Sequence, residues 1–446
     1  MNARQIALKI INDVNHNAAY ANISLTRELS KYTVSETDRR FITELVYGTI
    51  KAGATLDWII SKYINRSLSK VSPIILDILR MGVYQIYFMT KVPDSAACNE
   101  SVKISKKYGH AGTIKFVNGV LRNMIRMPEK AKYPTLEQNP IQNLALQYFH
   151  PEWLVKRWIT RFGIEETEEL CAFNNTNALL SMRTNTLKVT RDELMQILIR
   201  EGLQVKSSLL VPEGILCTKH PAIHTLKSLQ NGLFQIQDES SMLVAHILDP
   251  KPGEFIIDTC SAPGGKTTHI AALMKNKGKI LATDIYEHKL LKIEENAKRL
   301  GINIIETKLL DAMKIGELYK QKADRVLVDA PCSGLGVLRK KPDSRWKKTE
   351  YLLHELPILQ MQILNSAAEA VKIGGTLIYS TCTIEKEENQ DIVHRFLSSR
   401  TDFELEDSNL FLPNNLEIKQ PNLMIQLWPH IDKVDGFFIA RMKRIK

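Results

Sequence analysis

Cysteine is scarce and scattered in this chain. The 446 residues hold six: Cys98, Cys171, Cys217, Cys260, Cys332 and Cys382. None are paired as C-x-x-C and no histidine cluster adjoins them, so neither a zinc site nor a disulfide framework is expected. Long apolar runs are also missing. The closest stretch to the ~20 residues of a membrane span, Ile74 to Met89, is broken by Asp77 and Arg80. The N-terminus, MNARQIALKI, starts as an amphipathic helix and lacks a signal-peptide layout. There is no G-x-G-x-x-G, no internal repeat and no low-complexity tract. These absences exclude a secreted disulfide scaffold, a membrane-spanning protein and a solenoid. Cytoplasmic residence, reduced thiols, and no membrane or metal partner are expected.

Acidic residues are under-represented in one region only. Net charge is +11, and residues 1–130 carry 19 Lys+Arg against 10 Asp+Glu. Within 101–130 stand Lys103, Lys106, Lys107, Lys115, Arg122, Arg126 and Lys130 against a single acid, Glu129. Most charge runs are solvated helix faces. A run this one-sided on a folded segment points to a polyanion, and nucleic acid is the expected partner.

Four segments follow. Residues 1–130 read as all-α: Ile6, Ala7, Ile10, Ile11 and Val14 recur at helical spacing, and little Gly or Pro interrupts the pattern. Pro128, Pro134 and Pro140 lie in a polar stretch, which places a linker at 131–143. Residues 144–240 read as a small α/β module of ferredoxin-like kind. It has a helix over 144–162, a strand at 180–184, a helix opened by the capping box Thr190-x-x-Glu193, and a strand at 232–237. From 241 to 446 strands alternate with helices, with strands expected at 254–258, 279–284, 304–309, 325–329, 375–380 and 436–442. That alternation specifies a doubly wound, mostly parallel, Rossmann-like sheet.

The first strand of this sheet runs into Asp258-Thr-Cys-Ser-Ala-Pro-Gly-Gly-Lys-Thr267. A glycine pair at a strand-to-helix turn lets a ligand approach backbone. The next strand ends in Asp284, 19 residues after Gly265, where a ribose-binding acid is expected. Gly265-Lys266-Thr267 resembles the end of a P-loop, but that loop needs glycine at the position held by Cys260. S-adenosylmethionine needs no phosphate cradle. It needs close backbone, a ribose carboxylate and polar contacts to adenine, which Asp284 and Asp311 can supply.

Two thiols lie at the ends of later strands, in D-A-P-C-S-G (329–334) and S-T-C-T (380–383). A cysteine is usually a small buried hydrophobe. Two of them, Cys332 and Cys382, aimed at one cofactor crevice suggest covalent catalysis. Carbon 5 of a pyrimidine suits it: a thiolate adding at carbon 6 makes carbon 5 nucleophilic enough to accept a methyl group. Spacing alone does not rank the two thiols.

D-x-C-x-A-P-G-G-K-T, D-A-P-C-S-G and S-T-C resemble the motifs of the Sun-type RNA cytosine-5 methyltransferases. Supporting stretches are Asp38-Arg39-Arg40-Phe41, Leu79-Arg80-Met81-Gly82, Asn99-Glu100-Ser101-Val102, Phe116-Val117-Asn118-Gly119 and Gln235 to Ser241. The front domain is similar to NusB, an RNA-binding helical fold. The resemblance implies methyl transfer from S-adenosylmethionine to a cytosine of 16S rRNA, free or in an assembling subunit. It assigns the cofactor loop to Cys260, Ser261, Ala262, Pro263, Gly264, Gly265 and Lys266. Further cofactor contacts would be Asp284, Asp311 and Asp329, the last also a candidate catalytic group. The nucleophile would be Cys382, with Cys332 assisting release. Ser261 departs from the family, which more often has alanine there. Uracil or a tRNA target, or an RNA-binding factor with an inert methyltransferase half, are the rival readings. Trp346, in Arg345-Trp346-Lys347-Lys348, is a candidate for lining the path of the target base and, equally, for a packing tryptophan flanked by surface charge.

Overall fold

The structure, a computed structural model, describes residues 1–17, 19–413 and 423–446. The chain forms two units. One comprises Met1–Asn175 with Lys340–Lys348, the other Thr176–Arg339 with Thr349–Lys446.

The first unit is helical. The apolar stripe of its first helix, Ala3–His16, is buried, and Asn2 and Gln5 form a reciprocal capping box at its start. Helices Glu36–Lys51, Pro73–Phe88, Asp94–Ser105 and Ala111–Arg126 share the same core. A buried carboxylate, Asp77, is met by Asn12, Asn15, His16 and Arg80 at 2.8–3.1 Å. The single helix expected over 144–162 is two, Pro140–Tyr148 and Glu152–Phe162. Phe149 turns left-handed between them (φ 60), and Pro151 cannot continue the first helix. The first of these helices begins inside the expected linker.

The excursion Lys340–Lys348 packs within this unit. Arg345 is fully buried and donates to the Phe149 carbonyl at 2.8 Å and to Asn175 Oδ1 at 3.2 Å. Trp346 Nε1 donates to the carbonyls of Ile50 (2.9 Å) and Lys51 (3.2 Å). Its indole is committed to the helical unit, so the expectation that Trp346 lines a base channel is replaced by a packing role.

The second unit holds two sheets. In the small one, strands β1 (Leu180–Thr184), β2 (Gln204–Ser207), β3 (Gly214–Lys219) and β4 (Phe234–Ile236) pair antiparallel in the order β2-β3-β1-β4. The capping box of Thr190 and Glu193 opens the helix Arg191–Arg200 above it, as its spacing predicts. The large sheet contains β5 (Phe255–Asp258), β6 (Lys279–Asp284), β7 (Ile305–Leu309), β8 (Ala323–Asp329), β9 (Val371–Thr381), β10 (Phe403–Glu406), β11 (Ile425–Leu427) and β12 (Phe437–Arg444). Its order is β10-β12-β9-β8-β5-β6-β7, with β11 on β12. Strands β5 to β9 run parallel, and β12 is antiparallel to β9. The chain order reverses between β5 and β8, and ligands bind at the carboxyl ends of strands beside such a reversal. Sequence periodicity missed β2, β3, β10 and β11, which are short or lack a clean alternation.

Candidate active site

The crevice beside β5 is built from backbone. Asp258 ends the strand, and the loop after it is tied to the neighbouring strand. The Ser261 amide donates to the Thr283 carbonyl at 3.0 Å, and Thr283 Oγ1 donates to the Thr259 carbonyl at 2.8 Å. Ala262–Pro263 is a cis peptide. Gly264 has φ +92, and an added Cβ would lie 3.2 Å from Ile293 Cα. Only glycine fits there without strain. At Gly265 the nearest atom to an added Cβ is 3.7 Å away, so the turn leaves room on its outer side. Arg183 of β1, buried, donates to the Gly265 carbonyl and to Thr268 Oγ1 at 3.0 Å, steadying the start of the helix Gly265–Leu273.

Carboxylates surround this loop. Asp258 is fully buried, and burial pushes its carboxyl up to about 7, although Thr267 Oγ1 donates to it at 2.7 Å. Asp284 ends β6, nearly buried, with Oδ1 accepting from the Tyr286 amide at 3.0 Å. Asp311 follows β7 and caps the next turn by accepting from the Met313 amide at 2.9 Å. Asp329 ends β8. It accepts from Lys266 Nζ at 2.6 Å and from Ser380 Oγ at 2.9 Å. Burial alone would lower the Lys266 ammonium, but Asp329 holds it above its ordinary value. Cys260 is pushed up to about 12 by burial and stays a neutral thiol.

The two thiols meet. Cys332 follows β8, Cys382 follows β9, and their sulfurs are 3.4 Å apart. The Cys332 thiol is raised well above its ordinary range, first by its hydrogen bond to Cys382 and then by burial. Cys382 lies within Coulomb reach of the Lys266 ammonium.

Two residues absent from the sequence expectations hold this pair. Glu388 is fully buried and accepts from the Ser333 amide at 2.8 Å, from the Ser333 hydroxyl, and from Gln360 Nε2 at 3.0 Å. Gln360 also donates to the Pro331 carbonyl at 2.9 Å, and Tyr379 donates to the Glu388 carbonyl at 2.7 Å. Asn389 accepts from Thr381 Oγ1 at 2.6 Å and donates to the Thr383 carbonyl at 3.0 Å. Glu388 thus fixes the loop of Cys332, and Asn389 fixes the turn of Cys382. The sequence Lys386-Glu-Glu-Asn-Gln390 reads as a solvated helix start, and only its beginning four residues past Cys382 hints otherwise.

Known proteins resemble the whole of this arrangement. The family profile described as 16S rRNA methyltransferase RsmB/F matches residues 245–443. The NusB family profile matches residues 1–126, and the RsmF/B-like ferredoxin-like profile matches 150–224. A Bacillus subtilis protein named probable ribosomal RNA small subunit methyltransferase B is 40% identical, over 99% of this chain and 98% of its own. A Synechocystis protein of the same name is 39% identical over 100% of both.

This chain belongs to the ribosomal RNA small subunit methyltransferase B family.

Its fold follows solved relatives too. The crystal structure of PH0851 superposes with a TM-score of 0.85 at 29% identity, covering 100% of this chain and 99% of that one. NSun6 from Pyrococcus horikoshii, crystallised with the ligand SFG, superposes with a TM-score of 0.60 at 27% identity, over 66% of this chain and 98% of its own. The family architecture is the one expected: a NusB helical domain, a ferredoxin-like module and a Rossmann-like methyltransferase domain. Among the described residues no helix is long and apolar enough to cross a membrane.

Proposed function

We propose that the protein transfers a methyl group from S-adenosylmethionine to carbon 5 of a cytosine in 16S rRNA, at position 967 by its resemblance to family members. The 3.4 Å approach of Cys332 and Cys382 beside the glycine loop carries this reading. The residues present fit the methyl donor. The left-handed turn at Gly264 and the open side of Gly265 admit a ligand against backbone, while Asp284 and Asp311 offer carboxylates at the next two strand ends. When bound, the donor supplies an electrophilic methyl on a positively charged sulfur.

The chain's own residues do the rest. The Cys382 thiolate bonds to carbon 6 of a base taken out of its stack. The electron pair displaced onto carbon 5 accepts the methyl, and the sulfonium sulfur keeps the bonding pair. A base then removes the proton on carbon 5, the carbon 5–carbon 6 double bond re-forms, and Cys382 leaves as thiolate. Cys332 suits that proton removal once its own thiol has ionised, its proton passing to solvent. The hydrogen bond to Cys382 is the chief cause of its raised pKa, and the adduct at carbon 6 ends that bond. The seven basic residues of 101–130 are all exposed and suit phosphate contacts without sequence reading.

The test is bisulfite sequencing of rRNA with and without the protein, alongside transfer of radiolabelled methyl to small-subunit rRNA and to tRNA. Cys382→Ala is expected to abolish transfer, and full activity in that variant overturns the assignment. Cys332→Ala is expected to accumulate a protein–RNA adduct that survives denaturing gels.

A further inference from the structure

Among the described residues outside the thiol site, one cluster of ligating side chains has no role in the chemistry above. Glu213, just before β3, points an oxygen at two histidines. Its Oε1 lies 2.9 Å from His246 Nε2 and 2.8 Å from His269 Nε2. His246 is on the helix Glu239–Leu248, and His269 is one turn along the helix Gly265–Leu273. The three ligand atoms lie within 4.8 Å of one another. The sequence separates them by 33 and 23 residues, which is why spacing gives no hint of the cluster.

His269 is the informative member. It is 1% exposed, and neither of its ring nitrogens makes a hydrogen bond, although Nε2 faces the carboxylate at contact distance. An imidazole N–H serving Glu213 would point along that line. Instead its nitrogen faces the oxygen off the hydrogen-bond direction, while His246 Nε2 is hydrogen-bonded to that same Oε1 at 2.9 Å, so one carboxylate oxygen is the common neighbour of two imidazoles, a convergence that a shared cation would satisfy. The buried cation nearby, Arg183, is turned to Gln237, Gly265 and Thr268.

We propose that Glu213, His246 and His269 form a binding site for a divalent late transition-metal ion, with zinc as its occupant. Two imidazoles and one carboxylate are a zinc donor set. Tetrahedral bonds of ~2.0–2.1 Å put ligand atoms roughly 3.3 Å apart, so each nitrogen retreats from the oxygen by about half an ångström. His246 is partly exposed and leaves a side for water. The ion ties the small module to the two helices that flank the cofactor loop, and its role is structural.

The test uses the untagged full chain, stripped with chelator and titrated with zinc chloride by calorimetry, with thermal denaturation in parallel. Stoichiometric uptake and a raised Tm are expected. Both should be lost in His246→Ala, which is partly exposed and so spares the core, and retained in His220→Ala, a surface control. Cobalt(II) in place of zinc should give intense visible bands of tetrahedral N/O ligation. Thiolate-to-cobalt charge-transfer bands would place the ion on the cysteine pair and overturn the proposal. So would a folded wild type that takes up no zinc, or a His246→Ala protein that binds it as well as wild type does.

Discussion

The two halves of the crevice are built in opposite ways. The loop after β5 owes its shape first to its own backbone, a left-handed glycine and amide bonds to the adjacent strands, with Arg183, Thr283 and Asn296 adding side-chain bonds to its carbonyls. The loops carrying Cys332 and Cys382 owe theirs to buried side chains from elsewhere, chiefly Glu388, Gln360 and Asn389. A loop held by backbone needs particular residues at consecutive positions and therefore announces itself as a motif. A loop held by distant side chains does not. The cofactor half should consequently tolerate neighbouring changes and fail at its glycines. The thiol half should fail at residues that never touch the substrate.

The sharpest test of that contrast is Glu388→Ala. It leaves the Ser333 amide and one Gln360 N–H without their acceptor in a buried site, while the Ser333 hydroxyl keeps Thr383 Oγ1 at 2.8 Å. Unmet buried groups cost about 1–3 kcal/mol each, so a loss of about 3 kcal/mol in stability is expected. The Cys332–Cys382 geometry should loosen with it, and kcat should fall by about 100-fold while donor affinity stays near wild type. Equal losses in kcat and donor affinity would show that the two halves are not separately built. Glu388→Gln should recover part of the activity, because its amide oxygen still accepts from Ser333.

That asymmetry also explains what could be read from residues alone. The Rossmann-like alternation, the glycine loop and the Thr190–Glu193 cap were legible because each is local: period, turn chemistry and capping all act within a few residues. Trp346 reads equally as a base-path or a packing residue, because its fate depends on carbonyls near residue 50, almost 300 positions away. Glu388, Arg183 and the Glu213–His246–His269 cluster were invisible for the same reason. Their surroundings are assembled by topology, and a buried glutamate has the same letter as a solvated one.

Asp258 gives the next largest effect, now at the root of the backbone-built loop. Its carboxyl, raised to about 7 by burial, stays protonated in the folded protein where the unfolded chain has already lost its proton. The folded state therefore binds more protons between about pH 4 and pH 7, and stability falls as pH rises through that window. Asp258→Asn removes the dependence. The stability of wild type relative to the variant should drop by about 2 kcal/mol from pH 5 to pH 7.5, followed by denaturant unfolding at each pH. A flat difference would mean that Asp258 is ionised throughout.

Gly264→Ala should follow. At φ +92 a side chain costs about 1–2 kcal/mol, and its Cβ also presses on Ile293. Calorimetric titration with S-adenosylmethionine should show weaker donor binding, with adduct formation at Cys382 unaffected at saturating donor. This is the mirror image of Glu388→Ala.

The smallest effect belongs to Ser261→Ala. Ser261 Oγ donates to the Thr283 carbonyl at 2.9 Å, but so does its own backbone amide, at 3.0 Å. Removing the hydroxyl leaves that carbonyl satisfied, and no acceptor is stranded. A neutral hydrogen bond contributes about 1 kcal/mol net. Here the second donor to a shared oxygen should contribute less, about 0.5 kcal/mol or below. A Tm shift small enough to require calorimetry, with unchanged donor affinity, is expected. A loss well above 1 kcal/mol would mean that the β5 loop leans on side chains as the thiol loops do, and the distinction between the two halves would narrow to one of degree.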